Sequence, residues 1–408
     1  MRAWVVIATT AAGCVIVPVG PPPPPRPLPA PPLAPALRSA PAPAPAPAPL
    51  AIAEPTPACP QSSAPREILA ATKFPNAARI FASARGFDLF WSEGDGGTYW
   101  LNHRALSLAG EPVGADERVL DWLPTGIARG DDDTYVAIWV ERIAAFRLGA
   151  AKPLWETKLS GGQYLRTAIV WDPDHAQWVV GGEQVVASAD RNHDLSRLVV
   201  ARLDRNGTWV SQPTFISPAG VHAQISDWGN PLVAADHRVA VLWEQSSLGD
   251  SARSLHVTEL QARGSHDIVV AHGSAVMFRS TLAVTRDGYA IAGSTFPKDL
   301  RDSRVFATTV RAGAAAPLRI ISDPDRYGGE VVIAGSAIAW DEQDPAYTTT
   351  AHAGILSDGR VSATFAGSSD RGSTDFTLAL VPGPCGVSLL YTKGINPSAL
   401  WLVRVGPT

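Results

Sequence analysis

The 408-residue sequence has little of several features that would indicate a particular chemistry. It contains three cysteines and two methionines, and it has no G-x-S-x-G, H-E-x-x-H, G-x-x-x-x-G-K-[ST] or C-x-x-C motif. The usual signatures of serine hydrolases, zinc proteases, nucleotide-binding loops and thiol oxidoreductases are therefore missing. Charged residues make up 18% of the chain and the formal net charge is −4. Because nucleic-acid-binding domains are basic, we predict no nucleic-acid partner.

The N-terminus has the features of an export signal. Arg2 precedes a short apolar run, and small residues lead to Cys14. A membrane span needs about 20 apolar residues, so this shorter run indicates a secretory signal instead. Ala11-Ala12-Gly13-Cys14 resembles the bacterial lipobox, although Ala11 stands where that motif usually has Leu.

The lipobox resemblance implies that residues 1–14 are a signal and that Cys14 is lipidated. The residue after the cysteine, Val15, is not the Asp typical of inner-membrane retention, which implies the outer membrane of a Gram-negative bacterium. Contact with the membrane would then be through the lipid alone. The alternatives are a signal cleaved elsewhere, a signal anchor, and a periplasmic or secreted protein.

Proline is concentrated in one stretch after the signal. Of the 36 prolines, 20 lie in residues 18–65, including an unbroken run at 21–25 and a Pro-Ala alternation at 41–49. Because proline lacks the amide hydrogen and fixes φ, residues 15–65 are predicted to be a disordered, extended linker. A docking motif for an aromatic groove is the alternative, although Arg26 frames such a motif only once.

Residues 66–408 show a repeated pattern of short apolar runs separated by Gly, Asp and Pro, without a sustained helical period. An apolar strand, a tight polar turn and a second strand recur seven times at a spacing of about 50 residues. A third strand often follows, and a further turn leads to a fourth. The second strands end near these comparable positions: Trp91, Trp139, Gly181, Trp243, Ala292, Trp340 and Tyr391. The pattern predicts an all-β fold built from seven units of four antiparallel strands.

This pattern resembles a seven-bladed β-propeller of an exported bacterial lipoprotein. The subfamily is unassigned, because neither the Trp-Asp pair of WD repeats nor the double glycine of kelch repeats recurs in each unit. The seventh unit ends after three strands, near Val405, whereas residues 67–71 look like a strand that belongs to no other unit. We predict that this N-terminal strand completes the last blade, which closes the ring and removes an exposed sheet edge.

Two cysteines remain if Cys14 is lipidated. Cys385 lies in the first turn of blade seven, and Cys59 precedes the closing strand by about eight residues. Propeller topology places both on the same face of the disc, in an oxidising compartment. We predict a disulfide bond between them, with two unpaired thiols as the alternative.

Propeller geometry also brings charged residues from separate blades together. The inner turns place five carboxylates near one mouth of the central channel, where they are candidate Ca²⁺ ligands: Asp131, Asp132, Asp133, Asp172 and Asp174. The loops after the second strands supply ligand candidates on the opposite face: Arg191, His193, Asp194, Arg253, Lys298, Arg301, Asp302, Asp341 and Tyr347. For both sets, ordinary solvated surface is the alternative. No other cofactor is predicted.

The signal, the linker and the propeller together predict a non-enzymatic binding or scaffold module that meets a protein or glycan through its loops. No catalytic residue is predicted. The alternatives are a carbohydrate-active hydrolase or lyase that uses two carboxylates near the channel mouth, and a purely structural envelope protein. A deep pocket with convergent acids would favour the enzyme, whereas a flatter loop surface would favour the binding module.

Overall fold

The computed structural model describes residues 64–72, 74–186, 195–226, 230–246, 253–261, 264–273, 280–295, 303–357, 360–367, 375–394 and 398–406. The chain divides into two units, Met1–Pro55 and Thr56–Thr408, and every described residue belongs to the second. These residues form β-strands in seven antiparallel sheets. Within the same ranges, no helix is long and apolar enough to cross a membrane.

The first three blades each contain four strands that succeed one another along the chain. Blade 1 consists of β2 (Phe74–Ser83), β3 (Gly86–Asp95), β4 (Thr98–Ser107) and β5 (Pro112–Leu120). Blade 2 consists of β6 (Gly126–Arg129), β7 (Tyr135–Trp139), β8 (Arg142–Phe146) and β9 (Trp155–Lys158). Blade 3 consists of β10 (Tyr164–Asp172), β11 (Gln177–Val186), β12 (Leu195–Leu203) and β13 (Trp209–Phe215).

Blades 4 and 5 each have one strand in two pieces, and blade 6 is regular. Blade 4 has its inner strand split into β14 (His222–Ile225) and β15 (Leu232–Ala235), followed by β16 (Arg238–Ser246), β17 (Arg253–Leu260) and β18 (Ser265–Gly273). Blade 5 consists of β19 (Thr281–Thr285), β20 (Gly288–Thr295), β21 (Arg304–Arg311) and an outer strand split into β22 (Ala314–Ala315) and β23 (Arg319–Ile320). Blade 6 consists of β24 (Tyr327–Ala334), β25 (Ala337–Gln343), β26 (Thr349–Ser357) and β27 (Arg360–Ala366).

The last blade contains both ends of the folded unit. Its first three strands are β28 (Thr377–Gly383), β29 (Gly386–Lys393) and β30 (Ser398–Gly406), and its fourth is β1 (Arg66–Thr72). β1 pairs antiparallel with β30, and Arg66 lies opposite Leu402. The predicted ring closure by the N-terminal strand is therefore confirmed, and so is the seven-bladed fold.

Tight turns join the first and second strands of each blade, and some of them need special backbone conformations. Gly86 and Gly288 begin the second strands of blades 1 and 5 with φ of 153° and 152°. A Cβ at either glycine would lie 1.9 Å from a carbonyl oxygen of the next strand. Asp236 and His237 in blade 4 both have positive φ, as the central residues of a type I′ hairpin require. These turns therefore explain why the sequence places Gly, Asp and His between apolar runs.

The core lies between the blades. Within the described residues, buried apolar side chains form seven clusters, and each cluster joins two neighbouring blades. Successive side chains of a strand point to opposite faces of the blade, so both faces of a blade can pack against a neighbouring blade. Ile68 and Leu69 of β1 belong to the cluster between blades 7 and 1. The closing strand is thus part of a core as well as of a sheet.

Each interface between neighbouring blades also carries a hydrogen bond that involves a side chain. The seven bonds, in order from the interface of blades 1 and 2, join Tyr135 to Asp88, Arg205 to Asp131, the backbone N–H of Ile225 to Glu183, Arg238 to the carbonyl of Thr285, Ser294 to the carbonyl of Gly329, Thr377 to Asp341, and Arg104 to the carbonyl of Ile68. Apolar contacts are non-directional, whereas hydrogen bonds are directional. These bonds therefore fix how each blade is aligned against its neighbour.

Blade 2 departs from the predicted repeat. The sequence pattern predicts comparable positions for Trp139 and Trp91 near the ends of the second strands, but Trp139 is 47% exposed and Trp91 is 2% exposed. β7 ends at Trp139, and only Val140 and Glu141 connect it to β8. The predicted end of this strand is therefore correct. The two tryptophans differ in exposure because β7 stops at Trp139, whereas β3 continues for four residues beyond Trp91.

Candidate functional site

The propeller has two ends with different connections. The turns between first and second strands, such as residues 84–85 in blade 1, lie at one end, which we call the turn face. The connections between second and third strands lie at the other end, which we call the loop face. Six of the predicted loop-face residues lie outside the described residues: Arg191, His193, Asp194, Lys298, Arg301 and Asp302.

Two predicted loop-face residues are described and lie near that end. Tyr347 is 67% exposed and has a φ of 63°, so its ring projects from a strained turn between β25 and β26. Arg253 begins β17 and donates a hydrogen bond to Glu244 on β16. Tyr347 is therefore available to a partner, whereas Arg253 is already half-buried in an ion pair.

Asp341 does not lie on an exposed loop as the sequence analysis expected. β25 continues to Gln343, and the Asp341 side chain is buried, with 2% of the residue exposed. Its Oδ1 accepts hydrogen bonds from the backbone N–H of Glu330 (3.0 Å) and from the hydroxyl of Thr377 (3.2 Å). Burial, and next the nearby Glu330 carboxylate, raise the pKa of Asp341 well above its ordinary value. Asp341 therefore joins blades 6 and 7 and cannot contact a partner.

The acidic turn of blade 2 lies on the turn face, as predicted, but its three carboxylates point to three different arginines. The pairs are Asp131 with Arg205 (2.7 Å), Asp132 with Arg147 (2.8 Å), and Asp133 with Arg129. Arg205 comes from blade 3, so the first of these pairs links two blades. Each carboxylate therefore has a cationic partner within the protein.

The acidic turn of blade 3 is paired in the same way. Asp172 accepts a hydrogen bond from Arg202 (2.7 Å) and contacts the Nδ1 of His175 (2.9 Å). Asp174 accepts a hydrogen bond from the backbone N–H of His237 in blade 4 (2.9 Å). Burial alone would raise the pKa of Asp172, but Arg202 and His175 together outweigh it and lower the pKa below its ordinary value.

These carboxylates do not form a metal-binding group. Among the described residues, no three or more His, Cys, Asp or Glu side chains are arranged to hold a metal ion. Ca²⁺ prefers several oxygen ligands in one place, whereas four of these Asp side chains pair with an arginine and Asp174 accepts a backbone N–H. Calcium binding at these turns stays a prediction, and the observed arrangement gives it no support.

A buried polar network lies between blades 1 and 2. Asp88 accepts hydrogen bonds from the hydroxyl of Tyr135 (2.7 Å) and from Nε2 of His103 (3.1 Å). Burial would raise the pKa of Asp88, but these two hydrogen bonds outweigh it and hold the pKa below its ordinary value. The network is therefore an ionised carboxylate held rigidly by neighbours on two blades.

A cavity opens above this network on the turn face, and we call it the blade 1–2 cavity. Its volume is about 660 Å³, which is within the usual range of ligand pockets. Its apolar wall comes from residues of both blades: Ala105, Val113 and Leu148. Phe87 and Leu106 also border the cavity, but their side chains are buried in the cluster between blades 7 and 1. Its polar lining consists of Ser83, Arg85, Asp88, Arg129, Asp133, Tyr135 and Arg147. The cavity thus combines apolar surface with three arginines.

Glu183 is, like Asp341, a buried carboxylate whose pKa is raised. Its side chain is fully buried, accepts the backbone N–H of Ile225 (2.5 Å) and contacts Arg166 (3.0 Å). Burial raises the pKa of Glu183 to about 7, although Arg166 opposes this effect. A raised pKa is a feature of catalytic acids, but this carboxylate has no exposed surface through which it could reach a substrate. Glu183 therefore links blades 3 and 4.

A second cavity lies on the turn face where the described chain begins. Ala64, Arg66, Cys385 and Leu402 are among the residues that line it, and its volume is about 350 Å³. The described start of the chain and the turn that carries Cys385 thus lie together, as the sequence analysis expected. Cys59 and Cys14 lie outside the described residues, so the disulfide bond and the lipidation stay predictions.

The sequence patterns predicted neither the network nor the cavity between blades 1 and 2. Asp88 and His103 were visible as polar residues inside the apolar runs GFDLFW and WLNHRAL. Charged residues are seldom fully buried unless they are paired, so such positions indicate an internal partner. Tyr135, the partner on the next blade, could not be identified because contacts between blades depend on the three-dimensional arrangement.

Comparisons with known proteins concern the fold alone. No family model matches the chain, and no curated protein matches it. The propeller is similar to the Pyrococcus horikoshii acylaminoacyl peptidase, with a TM-score of 0.51 and 11% identity over 83% of this chain and 52% of that one. It is also similar to the Kuenenia stuttgartiensis hydrazine synthase, with a TM-score of 0.52 and 13% identity over 82% of this chain and 97% of that one. This chain spans about half the length of the peptidase, and at these identities the similarity establishes only the β-propeller architecture.

Proposed function

We propose that this protein is a lipid-anchored β-propeller that binds a protein or glycan partner at the cell envelope without chemically changing it. Lipidation of Cys14 would attach the chain to the outer membrane, and residues 15–65 would act as a spacer. Residues 66–408 would form the binding domain, whose loop face meets the partner. The sequence features of the N-terminus support the anchor, and the propeller fold supports the binding role.

One observation carries the choice of binding over catalysis: Asp131, Asp132, Asp133 and Asp172, in the acidic turns of blades 2 and 3, are each held in an ion pair with an arginine. A glycoside hydrolase needs one carboxylic acid with a raised pKa and a second carboxylate near the scissile bond. Burial would raise the pKa of Asp132, but its bonds to Thr134 and Arg147 lower it. The pKa of Asp172 is lowered in the same way by Arg202. Such residues are poor proton donors at neutral pH, which favours the binding module over the hydrolase.

The interfaces between the blades also support a binding role. Each of them carries an apolar cluster and a hydrogen bond, so the blades form a preorganised support for the loops. A rigid support lowers the entropy lost when a partner binds. Tyr347 fits this role because it projects an aromatic ring from the loop face. Tyrosine is among the residue types that contribute most to protein interfaces.

The experiment is capture of partners from envelope extract by immobilised full-length protein, followed by identification of the captured protein or glycan. The expected result is a specific partner that is recovered chemically unchanged. Tyr347→Ala should weaken capture at least several-fold. Ile320→Ala is the matched control, because Ile320 is also an exposed large residue but lies on the outer strand of blade 5. Equal capture by Tyr347→Ala would contradict the loop-face assignment, and release of new reducing ends from a captured glycan would favour the hydrolase.

The membrane anchor requires a separate test. Full-length protein expressed in a Gram-negative host should be found in the outer-membrane fraction and should incorporate labelled palmitate. Cys14→Ser should abolish the labelling and release the protein from the membrane. A mature N-terminal peptide that contains unmodified Cys14 would contradict the lipid anchor without affecting the binding role.

A further inference from the structure

The blade 1–2 cavity differs from the rest of the turn face in its balance of hydrogen-bond donors and acceptors. Three arginines line it, against two aspartates. Asp88 already accepts hydrogen bonds on both oxygens, from Tyr135 and His103. Asp133, the second aspartate, is paired with Arg129. The acceptors in the lining are therefore satisfied.

The donors in the lining are not all used. An arginine carries five N–H groups. Arg147 donates through Nη2 to Asp132 and through Nε to Thr134, and its Nη1 group has no acceptor among the residues that the structure describes. Arg85, at the turn between β2 and β3, has no hydrogen-bond or ion-pair partner among the described residues. Two guanidinium groups at the rim can therefore donate hydrogen bonds to an anionic ligand.

The apolar wall restricts what kind of anion fits. Ala105 and Val113, which lie opposite each other on β4 and β5 of blade 1, and Leu148 of blade 2 face the same space. A small inorganic anion would leave this wall in contact with water, whereas an organic acid would cover it. A carboxylate matches the planar fork of arginine, with which it can form two parallel hydrogen bonds.

We propose that the blade 1–2 cavity is a binding site for an organic acid with an apolar body. The carboxylate lies between Arg85 and Arg147, and the apolar body lies against Ala105, Val113 and Leu148. The network of Asp88, described above, forms a rigid floor. Since this site lies on the turn face, it is separate from the loop face that is proposed to bind the macromolecular partner.

The test is a titration of the full-length protein with three probe acids: 4-phenylbutyrate, decanoate and N-acetylleucine. Binding is measured by isothermal calorimetry and by ligand-observed NMR. At least one acid should bind saturably, and its uncharged amide should bind at least about tenfold more weakly, because a charge-assisted hydrogen bond is lost. Inorganic phosphate should bind more weakly than that acid, because it leaves the apolar wall exposed.

Variants locate the site. Arg85→Gln and Arg147→Gln should each weaken binding of that acid at least about tenfold. Arg286→Gln is the matched control, because Arg286 lies in the equivalent turn of blade 5, two residues before β20 begins at Gly288. This variant should bind the acid as the native protein does. Since Arg85 is exposed at a turn, its replacement should leave the melting temperature unchanged.

Several outcomes would overturn the proposal: no saturable binding of any of the three acids, equal binding of acid and amide, or native affinity in both arginine variants. Loss of acid binding in Arg85→Gln with normal capture of the loop-face partner would support two separate sites. If the native protein binds the acid but captures no partner from the envelope extract, the proposed function is contradicted and the organic-acid site stands.

Discussion

Ile68 provides the sharpest test of the ring closure, because it belongs to the closing strand and to a core at the same time. The residue is 3% exposed and packs in the cluster between blades 7 and 1. Replacing Ile68 by Ala removes three methyl or methylene groups, each of which contributes about 0.8 kcal/mol when buried. The cavity left behind adds a further cost, so the expected loss of unfolding free energy is about 3–4 kcal/mol.

The matched control is its neighbour Glu67, which lies on the same strand but is exposed. Glu67→Ala should change the unfolding free energy by less than about 0.5 kcal/mol, because it removes no buried group. The assay is urea unfolding followed by tryptophan fluorescence, together with thermal melting, under reducing conditions so that no disulfide contributes. If Ile68→Ala is as stable as the native protein, β1 does not close blade 7 and the reasoning is refuted.

Three further predictions concern a turn, a buried carboxylate and the cysteines. Gly86→Ala should lower the unfolding free energy by more than about 2 kcal/mol in urea, because its φ is unfavourable and a Cβ would meet the backbone, whereas Gly181→Ala, with only an ordinary contact nearby, should change it by less than about 1 kcal/mol. Burial raises the pKa of Glu183 to about 7 in the folded protein, against about 4.3 when unfolded, so folded protein binds the extra proton and stability should fall as pH rises across this window. Thermal melts from about pH 4.5 to 7.5 should show that fall in the native protein and a smaller one in Glu183→Gln. Equal slopes of melting temperature against pH in the two proteins would contradict the raised pKa of Glu183. Peptide mapping without reductant should recover Cys59 linked to Cys385, and recovery of both as free thiols would refute the disulfide.

Much of the fold could be predicted because it depends on local patterns that repeat. Alternating apolar runs, turn residues and a spacing of about 50 residues indicated seven blades, and the incomplete last unit indicated that the N-terminal strand completes it. The polar loop expected after Trp139 is a local exception. Only Val140 and Glu141 join β7 to β8, and the repeated pattern does not specify the length of this connection in each blade.

The candidate site could be predicted only in part, because it depends on pairings between blades. The acidic turns were recognised, but their partners, such as Arg205 from the next blade, come from turns whose relative positions the sequence does not specify. Asp341 shows the same difficulty. The second strand was expected to end near Trp340, but β25 continues to Gln343, so the Asp341 carboxylate lies in a buried interface and not on an exposed loop. The blade 1–2 cavity was missed because its lining comes from several turns and strands of both blades.

The pairing of β1 with β30 has a consequence for the order of folding. Arg66 and Leu402 lie opposite each other although they are more than 300 residues apart in the chain. Contacts at such separation form late and slowly, because a long loop must be closed before they contribute. Blades 1 to 6 each contain all of their strands within one local segment and can form as that segment becomes available. Blade 7 can be completed only when the whole propeller sequence is present, so a chain interrupted before β30 should stay open, with β1 unpaired, however stable its other blades are.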